Sequence, residues 1–368
     1  MWSRFKLYFK NFDWIMLASV VLLVSFGLIE IYSVSLGRDV SYLHNFKKQL
    51  LFAGLGFVFL FVFTFIDSYF LKSLTRYFYM IALALLAVVL IVGHNIRGHQ
   101  SWLVFSGFTL QPVELVKIIL IMSLARYFSS LATKVKTRKH FLASAVIAFL
   151  PIVLVILQPD LGSVIILGSI WLIMIIAAGF SKKYFLTIFL AVSVLFAVSW
   201  FLLFKPYQKD RIINFVNPGI NSQQSGYNIT QAMIAIGSGG WAGQGVGLGS
   251  QSQLKFLPEA HTDFIFSVIA EELGFIGVLL LLIFYLIFFI RCYRALLKIN
   301  NDFDIYFIIG AAGLIFVQMF INIGMNLGII PVVGLPLPFV SYGGSSLISL
   351  LALVGIVENI IIKSKISY

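Results

Sequence analysis

Residues 226–277 read GYNITQAMIAIGSGGWAGQGVGLGSQSQLKFLPEAHTDFIFSVIAEELGFIG and are the most informative part of the chain. It is a polar, glycine-rich segment that runs directly into an apolar helix, in a chain that is otherwise largely lipid-soluble. Three titratable side chains, Glu259, His261 and Asp263, stand just before that helix. A charged side chain at the boundary of a membrane is energetically costly unless water solvates it or it has a functional role. The stretch is therefore the first place to look for chemistry.

The composition is that of an integral membrane protein. Hydrophobic residues make up 60% of the chain and charged residues 11%, with a mean hydropathy of +1.01, which excludes a soluble domain of this length. Continuous apolar runs of about 20 residues, rich in Leu, Ile and Phe, indicate helical spans and not strands. We expect an all-α polytopic membrane protein that forms one domain over residues 1–368. The ten predicted spans are residues 13–36, 46–66, 70–93, 112–132, 140–158, 161–179, 184–204, 264–290, 304–328 and 341–362.

The basic residues are divided unevenly between the two ends of these spans. Of the 26 Lys and Arg residues, sixteen share a face with the N-terminus, eight lie on the other face, and Lys117 and Arg126 fall within a span. The positive-inside rule then places both termini in the cytoplasm. Topology accounts for the net charge of +12, so nucleic acid is not an expected partner. Cys292 is the single cysteine, which excludes an intrachain disulfide.

Two outer loops stand out among otherwise short connections. Residues 94–111 form a medium loop, and residues 205–263 form a long loop between the seventh and eighth spans. Apolar residues at helical spacing over 229–236 predict an amphipathic helix on the outer membrane surface. Residues 237–249 predict an irregular, turn-rich segment. No strand precedes the glycines at 243, 245, 247 and 249, which excludes a nucleotide-binding loop, although their amides can form a nest for a phosphate.

The eighth span begins with a stripe of polar residues. Asp263, Ser267, Ala270 and Glu271 are spaced i, i+4, i+7 and i+8, so they line one helix face. Asp263 could simply complement the helix dipole. The adjacent carboxylates of Glu271 and Glu272 are costly inside an apolar span, however, and we expect them to point into a polar cavity. A functional role for this stripe is favoured over capping.

Other polar residues have two open interpretations each. Glu114 and Lys117 are spaced i, i+3 and predict an ion pair on one helix face, which could either fix helix packing or form the wall of a site for an anionic substrate. Asp160 follows Gln158-Pro159, where turn chemistry alone accounts for it. Arg211 offers a guanidinium suited to phosphate groups, or is a solvated loop cation.

These residues fall in motifs that resemble the SEDS family of membrane peptidoglycan polymerases, and its RodA branch more than its FtsW branch. The resemblance covers nearly the whole chain. The motifs are GLIEIYS, GFTLQPVELVK, LQPDLGS, RIINFVNP, GYNITQAMIAIGSGG, LPEAHTDFIFSVIAEELG and PLPFVSYGGSS. Two positions depart from the family pattern, where Ser101 replaces a common arginine and Val113 a common serine, so the family roles of those two side chains do not carry over.

The resemblance implies a ten-helix glycosyltransferase that polymerises lipid II into glycan strands at the outer face of the cytoplasmic (inner) membrane during cell elongation. It implies Asp263 as the catalytic residue, a general base for the acceptor hydroxyl. A class B penicillin-binding protein (a transpeptidase) and other membrane proteins of the elongation complex are the implied partners. No soluble cofactor is required, and a divalent cation such as Mg²⁺ is an open alternative. The expected substrate-binding residues are Trp102, Glu114, Lys117, Asp160, Arg211, Glu259, His261, Glu271 and Ser341.

Three other functions remain as alternatives. The first is a lipid II flippase or transporter, which would need polar groups spaced through the whole depth of the membrane. The candidate residues instead cluster at the outer mouth, which favours catalysis at one face. The second is the cell-division polymerase of the FtsW type, and the third is a non-catalytic scaffold that recruits a transpeptidase.

Overall fold

The computed structural model describes residues 2–36, 40–96, 99–105, 108–131, 137–202 and 225–366, together with residues 209 and 213. Within these ranges a helix occupies each of the ten predicted spans. The helices are α1 (Trp2–Asn11), α2 (Trp14–Leu36), α3 (Val40–Phe65), α4 (Ser68–Val92), α5 (Pro112–Ser129), α6 (Arg138–Leu157), α7 (Leu161–Ala177), α8 (Lys182–Leu202), α9 (Ser225–Ser238), α10 (Ser250–Gln253), α11 (Ile265–Leu296), α12 (Asp302–Asn326) and α13 (Gly344–Ile366).

Seven of these helices are long and apolar enough to cross a membrane, namely α2, α3, α4, α6, α11, α12 and α13. Helix α7 is shorter, with 17 residues, and α5 carries Glu114, Lys117 and Arg126 along its 18 residues. Many apolar side chains on the outside of the bundle are exposed, as expected where lipid is the solvent. The prediction of a largely helical polytopic membrane protein is confirmed.

The medium loop predicted over 94–111 instead contains a small antiparallel sheet, so the fold is not entirely helical. Its strands are β1 (His94–Ile96), β2 (His99–Phe105) and β3 (Phe108–Leu110), in the order β1-β2-β3. The sheet packs against the adjoining ends of α4, α5 and α13. Strands this short give a weak periodic signal, and their polar residues resemble those of a loop.

Helix α13 lies at the centre of the bundle and packs most closely on α3. A Cβ atom on Gly355 would lie 2.2 Å from the carbonyl oxygen of Leu60, so the two backbones touch, as small residues permit between membrane helices. Lys363 near the end of α13 pairs with Asp67, and Lys365 Nζ donates to Asn11 O at 2.8 Å. We call this end of the bundle, which carries α1 and the end of α13, the termini end.

Helix α11 is broken at Gly274, where the glycine-rich segment is built into it. Gly274 has φ 64° and ψ −161°, a conformation open essentially to glycine alone. A Cβ atom there would lie 2.3 Å from the amide nitrogen of Gly243. Four hydrogen bonds from the loop replace those that the break removes from the helix: Phe275 N to Gly240 O (2.9 Å), Ile276 N to Trp241 O (3.2 Å), Gln244 N to Glu271 O (2.9 Å) and Gly245 N to Glu272 O (2.9 Å).

The helix predicted over 229–236 is present as α9, but its packing differs from the prediction. It lies against α11 and α12, with Ile229, Ala232 and Ala235 buried. Met233, which belongs to the predicted apolar stripe, is 42% exposed. The small alanines allow close helix contact, and a pattern built on large apolar residues overlooks them.

Candidate active site

The turn over 259–263 brings Glu259, His261 and Asp263 together at the end of the bundle opposite the termini end. Thr262 closes the turn, since its amide donates to Glu259 O at 3.0 Å and its Oγ1 to the Glu259 carboxylate at 3.1 Å. Glu259 has φ 53°, an uncommon conformation for a residue with a side chain. Helix α11 begins at Ile265, two residues after Asp263, so this carboxylate precedes the first helical turn.

Two buried amides on α12 hold the backbone of Asp263. Asn322 Nδ2 and Asn326 Nδ2 each donate to Asp263 O at 3.0 Å. Asn326 also accepts from Ser267 Oγ, at 2.6 Å. Because Asn322 and Asn326 are fully buried, these bonds form where water does not compete for them.

The segment over 327–343 covers the same turn. Ser341 Oγ donates to Thr262 O at 2.6 Å and accepts from the Leu337 amide at 2.8 Å. The amide of Tyr342 donates to His261 O at 2.8 Å, and the rings of these two residues meet edge to face, 5.4 Å apart. The hydroxyl of Ser341, a predicted substrate ligand, therefore helps to position the turn that carries Asp263.

Asp160 lies next to this covering segment. Its carboxylate caps α7 by accepting from the Ser163 amide at 3.0 Å and Ser163 Oγ at 2.7 Å, and it also accepts from Gln111 Nε2 at 3.1 Å. A Cβ atom on Gly162 would lie 3.4 Å from Val333 O, and one on Gly334 would lie 3.4 Å from Asp263 Oδ2. The start of α7 and the carboxylate of Asp263 thus contact neighbouring residues of one loop.

Glu114 and Lys117 form the predicted ion pair on α5. Lys117 Nζ lies 2.7 Å from Glu114 Oε1, and both side chains are buried. Gln111, which donates to Asp160, is the residue that precedes α5. The pair therefore lies in the first two turns of α5, the helix whose preceding residue contacts Asp160.

Glu271 and Glu272 hold the glycine-rich segment instead of facing a polar cavity. The Glu271 carboxylate accepts from the amides of Gln251, at 2.6 Å, and Ser252, at 3.1 Å. Glu272 accepts from Ser33 Oγ on α2 at 2.5 Å, and from the amide of Gly247 at 3.0 Å. Both glutamates are fully buried. The expectation of a polar cavity at these residues is wrong, because loop amides and hydroxyls surround them; a role of Glu271 in binding substrate stays a prediction.

The last two predicted substrate-binding residues are Trp102 and Arg211. Trp102 lies on β2, opposite His94 on β1, and is half-buried. Arg211 lies outside the described residues. Sequence reasoning missed Asn322 and Asn326 as site residues, although two amides four residues apart in an apolar span are a usable signal of a polar cluster.

No group of three or more His, Cys, Asp or Glu side chains that could hold a metal ion occurs among the residues that the structure describes. Among the described residues, cavities occur at the termini end, away from this turn. One lies between α4, α5 and α6, and another is lined by residues such as Asp67 and Lys298. Neither cavity adjoins Asp263, so Asp263 remains the candidate catalytic residue.

The fold and this site define a polytopic membrane protein whose carboxylate-bearing turn lies at one end of an apolar helical bundle. The chain belongs to the FtsW/RodA/SpoVE family, described as cell cycle proteins, whose profile matches residues 13–366. The sequence motifs and the family profile agree over almost the entire length of the chain.

Similar proteins cover nearly all of the chain. Peptidoglycan glycosyltransferase MrdB of Escherichia coli (strain K12) is 36% identical over 350 residues, 95% of this chain and 93% of that protein. The probable peptidoglycan glycosyltransferase FtsW of Geobacter metallireducens is 37% identical over 376 residues, 98% of each.

Two solved structures are also similar. A chain from a peptidoglycan synthase complex, described as coordinating polymerization and crosslinking, has a TM-score of 0.81 and 30% identity, covering 97% of this chain and 98% of that one. The rod shape determining protein RodA of Thermus thermophilus has a TM-score of 0.71 and 29% identity, covering 95% and 96%.

Proposed function

We propose that this chain is a peptidoglycan glycosyltransferase that polymerises lipid II into glycan strands at the outer face of the cytoplasmic membrane during cell elongation. The observation that carries the proposal is the placement of Asp263, whose turn is held by buried amides and by a second loop. Relatives that match almost the whole chain are named peptidoglycan glycosyltransferases, which supports the same reaction here.

In the proposed reaction, Asp263 is the general base. Its carboxylate takes the proton of the acceptor sugar's 4-hydroxyl as that oxygen forms a bond to the anomeric carbon of the donor. The bond from the same carbon to the lipid diphosphate breaks, and the lipid diphosphate leaves with the electron pair. A single displacement inverts the anomeric centre. A positioned base supplies roughly 10²–10⁴-fold in rate.

The charge of the leaving diphosphate has to be balanced by positive groups. Lys117 and Arg211 are the side chains that we assign to this role, and Trp102 and Asp160 complete the substrate-binding set. Glu259 and His261 share the turn with Asp263 and belong to the same set. A divalent cation such as Mg²⁺ accepts one carboxylate together with phosphate oxygens, so Asp263 is the residue that would hold it; the cation would neutralise the diphosphate.

A flippase for the same lipid is the main alternative, and the buried acids argue against it. Glu271 and Glu272 accept hydrogen bonds from the glycine-rich segment, and Glu114 is paired with Lys117. Each of these three acids is bonded within the protein, which disfavours its use as a step in transport across the membrane. Among the described residues, the candidate groups Asp263, Glu259, His261 and Asp160 lie at one end of the bundle, as a polymerase requires.

All ten long helices cross the membrane in this proposal, with both termini in the cytoplasm and Asp263 outside. A class B penicillin-binding protein is the proposed partner, consistent with the similar chain from a synthase complex. Elongation is preferred on the likeness to MrdB and RodA, and the FtsW-type division polymerase is the alternative. Rescue of a strain depleted of its elongation polymerase, but not of one depleted of its division polymerase, would distinguish them.

The decisive experiment measures glycan strands formed from lipid II by the purified chain in liposomes, with and without the penicillin-binding protein. Asp263→Asn is compared with Asp302→Asn, which removes a carboxylate from the start of another membrane helix, α12, at the termini end. We expect polymer from the native chain and from Asp302→Asn, and at least about a hundredfold less from Asp263→Asn. Equal product from both variants would exclude Asp263 as the base. Transfer of lipid II across the bilayer without polymer would indicate a flippase.

A further inference from the structure

A cavity of about 310 Å³ lies between α4, α5 and α6 at the termini end. This volume is at the lower end of the range for small-molecule sites, about 300–1,000 Å³. The cavity plays no part in the proposed reaction, because Asp263 is at the other end of the bundle. Its polar lining consists chiefly of Arg76, Arg126, Thr75, Ser123, Tyr79 and Tyr127.

The charged residues that line the cavity are two arginines. Arg126 is half-buried and donates from Nη1 to Ser73 O at 3.2 Å, which leaves most of its five N–H donors for a ligand. Arg76 is exposed at the rim. Neither guanidinium is in an ion pair within the described part of the chain, and none of the described residues that line the cavity carries a carboxylate.

The walls of the cavity are fixed by hydrogen bonds between helices. Tyr79 on α4 donates its hydroxyl to Ile147 O on α6 at 2.8 Å, and Tyr127 on α5 donates to His140 O on α6 at 3.2 Å. These bonds tie α6 to α4 and to α5 on either side of the cavity. The two arginines therefore lie beside an open groove whose walls are tied together.

The neighbouring surface is apolar and faces outward. Met80 on α4 is 62% exposed and Val146 on α6 is 58% exposed, as expected for side chains in contact with lipid. Arg76 lies about 12 Å along α4 from its first residue, at 1.5 Å per residue. Arg126 lies three residues before the end of α5. Met80 follows Tyr79 and Val146 precedes Ile147, and both Tyr79 and Ile147 line the cavity, so the lipid-facing surface adjoins the cavity.

We propose that this cavity binds the phosphate of an anionic phospholipid headgroup. Arg76 and Arg126 are its ligands, because a guanidinium presents paired donors that match two phosphate oxygens. The acyl chains lie along the exposed apolar faces of α4 and α6. Basic pockets between membrane helices are suited to such headgroups.

Native mass spectrometry of the purified full-length chain tests this proposal. The chain is mixed in detergent with phosphatidylglycerol or with an equal amount of phosphatidylcholine, and the retained lipid is counted. We expect preferential retention of phosphatidylglycerol, and a loss of about 30-fold in its affinity in the double variant Arg76→Ala/Arg126→Ala. The matched control is Arg138→Ala/Lys139→Ala, which removes the same charge from exposed positions at the start of α6 and should retain the lipid.

A second variant keeps both arginines and guards against misfolding of the first. Ser130 is exposed at the cavity, and Ser130→Glu places a carboxylate beside the guanidinium groups, so it should also weaken retention. Equal retention of the two lipids, or an equal loss in the Arg138/Lys139 control, would overturn the proposal. It would also be overturned if inorganic phosphate bound the lipid-free chain in an arginine-dependent way while neither lipid was retained, since the ligand would then be a soluble anion.

Discussion

The side-chain amide of Asn322 donates one hydrogen bond to the backbone carbonyl of Asp263, at 3.0 Å, and another to the carbonyl of Leu335, at 2.7 Å. One buried side chain on α12 therefore ties the carboxylate-bearing turn to the segment that covers it. Gly334, which adjoins Asp263 Oδ2, directly precedes Leu335. The position of the proposed base depends on a residue that the proposed substrate need not touch.

We predict that Asn322→Leu lowers the turnover of lipid II by about tenfold to hundredfold, because a shift of about 1 Å in a catalytic group can have an effect of that size. Lipid II binding should change little. The variant leaves two buried carbonyls with fewer donors, at a cost of roughly 1–3 kcal/mol each in stability. Polymerisation rates and lipid II binding, measured on variant protein of equal folded fraction, check this prediction.

Asn359 provides a matched control for Asn322. It is also fully buried, and it donates from Nδ2 to Thr64 O at 2.7 Å at the termini end. Asn359→Leu should lower thermal stability to a similar extent and leave turnover near that of the native chain. A similar drop in turnover in both variants would show that Asn322 acts only through global stability.

The Glu114–Lys117 pair can be tested for a role beyond packing. Lys117→Met should destabilise the chain by about 3–5 kcal/mol, because it leaves a buried carboxylate without its partner. The double variant Glu114→Gln/Lys117→Met should recover most of that stability. We expect it to remain at least about tenfold slower in polymerisation, since the diphosphate loses a positive neighbour. Polymerisation activity and melting temperature are measured for each variant. Full activity of the double variant would show that the Glu114–Lys117 pair serves only helix packing.

Glu271 should control the exchange of the loop amides that donate to it. Glu271→Ala removes the acceptor of the Gln251 and Ser252 amides, and we expect about tenfold to hundredfold faster hydrogen–deuterium exchange over 245–255. Glu358→Ala is the control, because Glu358 is a buried acceptor of the Asp13 amide at the termini end. The role of Glu271 would be contradicted if Glu358→Ala also showed faster exchange over 245–255, or if Glu271→Ala showed no increase in exchange there.

The sequence predicts the helices and the local pairs well, because both depend on short-range spacing. Apolar runs locate the long helices, and the i, i+3 spacing of Glu114 and Lys117 is enough to predict their ion pair. Glu259, His261 and Asp263 are also close in sequence. Their proximity in one turn is therefore predictable from their spacing in the sequence.

Contacts between distant segments were not predictable in the same way. The break at Gly274 lies inside an apolar run, and its cause is a loop about 30 residues earlier that supplies the missing hydrogen bonds. The proline- and glycine-rich sequence of residues 322–346 does predict packing against the long outer loop, but it does not predict that Ser341 pairs with Thr262 and Asn322 with Asp263. Periodicity reports which face of a helix is apolar, and it carries no information about which loop will meet that helix.

The break in α11 leads to the last prediction, Gly274→Ala. The new Cβ atom would meet the backbone of residues 241–243 and would require a positive φ that alanine rarely adopts, so the glycine-rich segment should separate from α11. We expect a lower melting temperature and new protease cleavage within 240–253. Gly168→Ala on α7 is the control: a Cβ atom added there would meet no side chain or neighbouring helix within 4 Å, and the stability of this variant should be unchanged or higher by up to about 1 kcal/mol. If residues 240–253 were as resistant to protease in Gly274→Ala as in Gly168→Ala, the break in α11 would not depend on glycine at position 274.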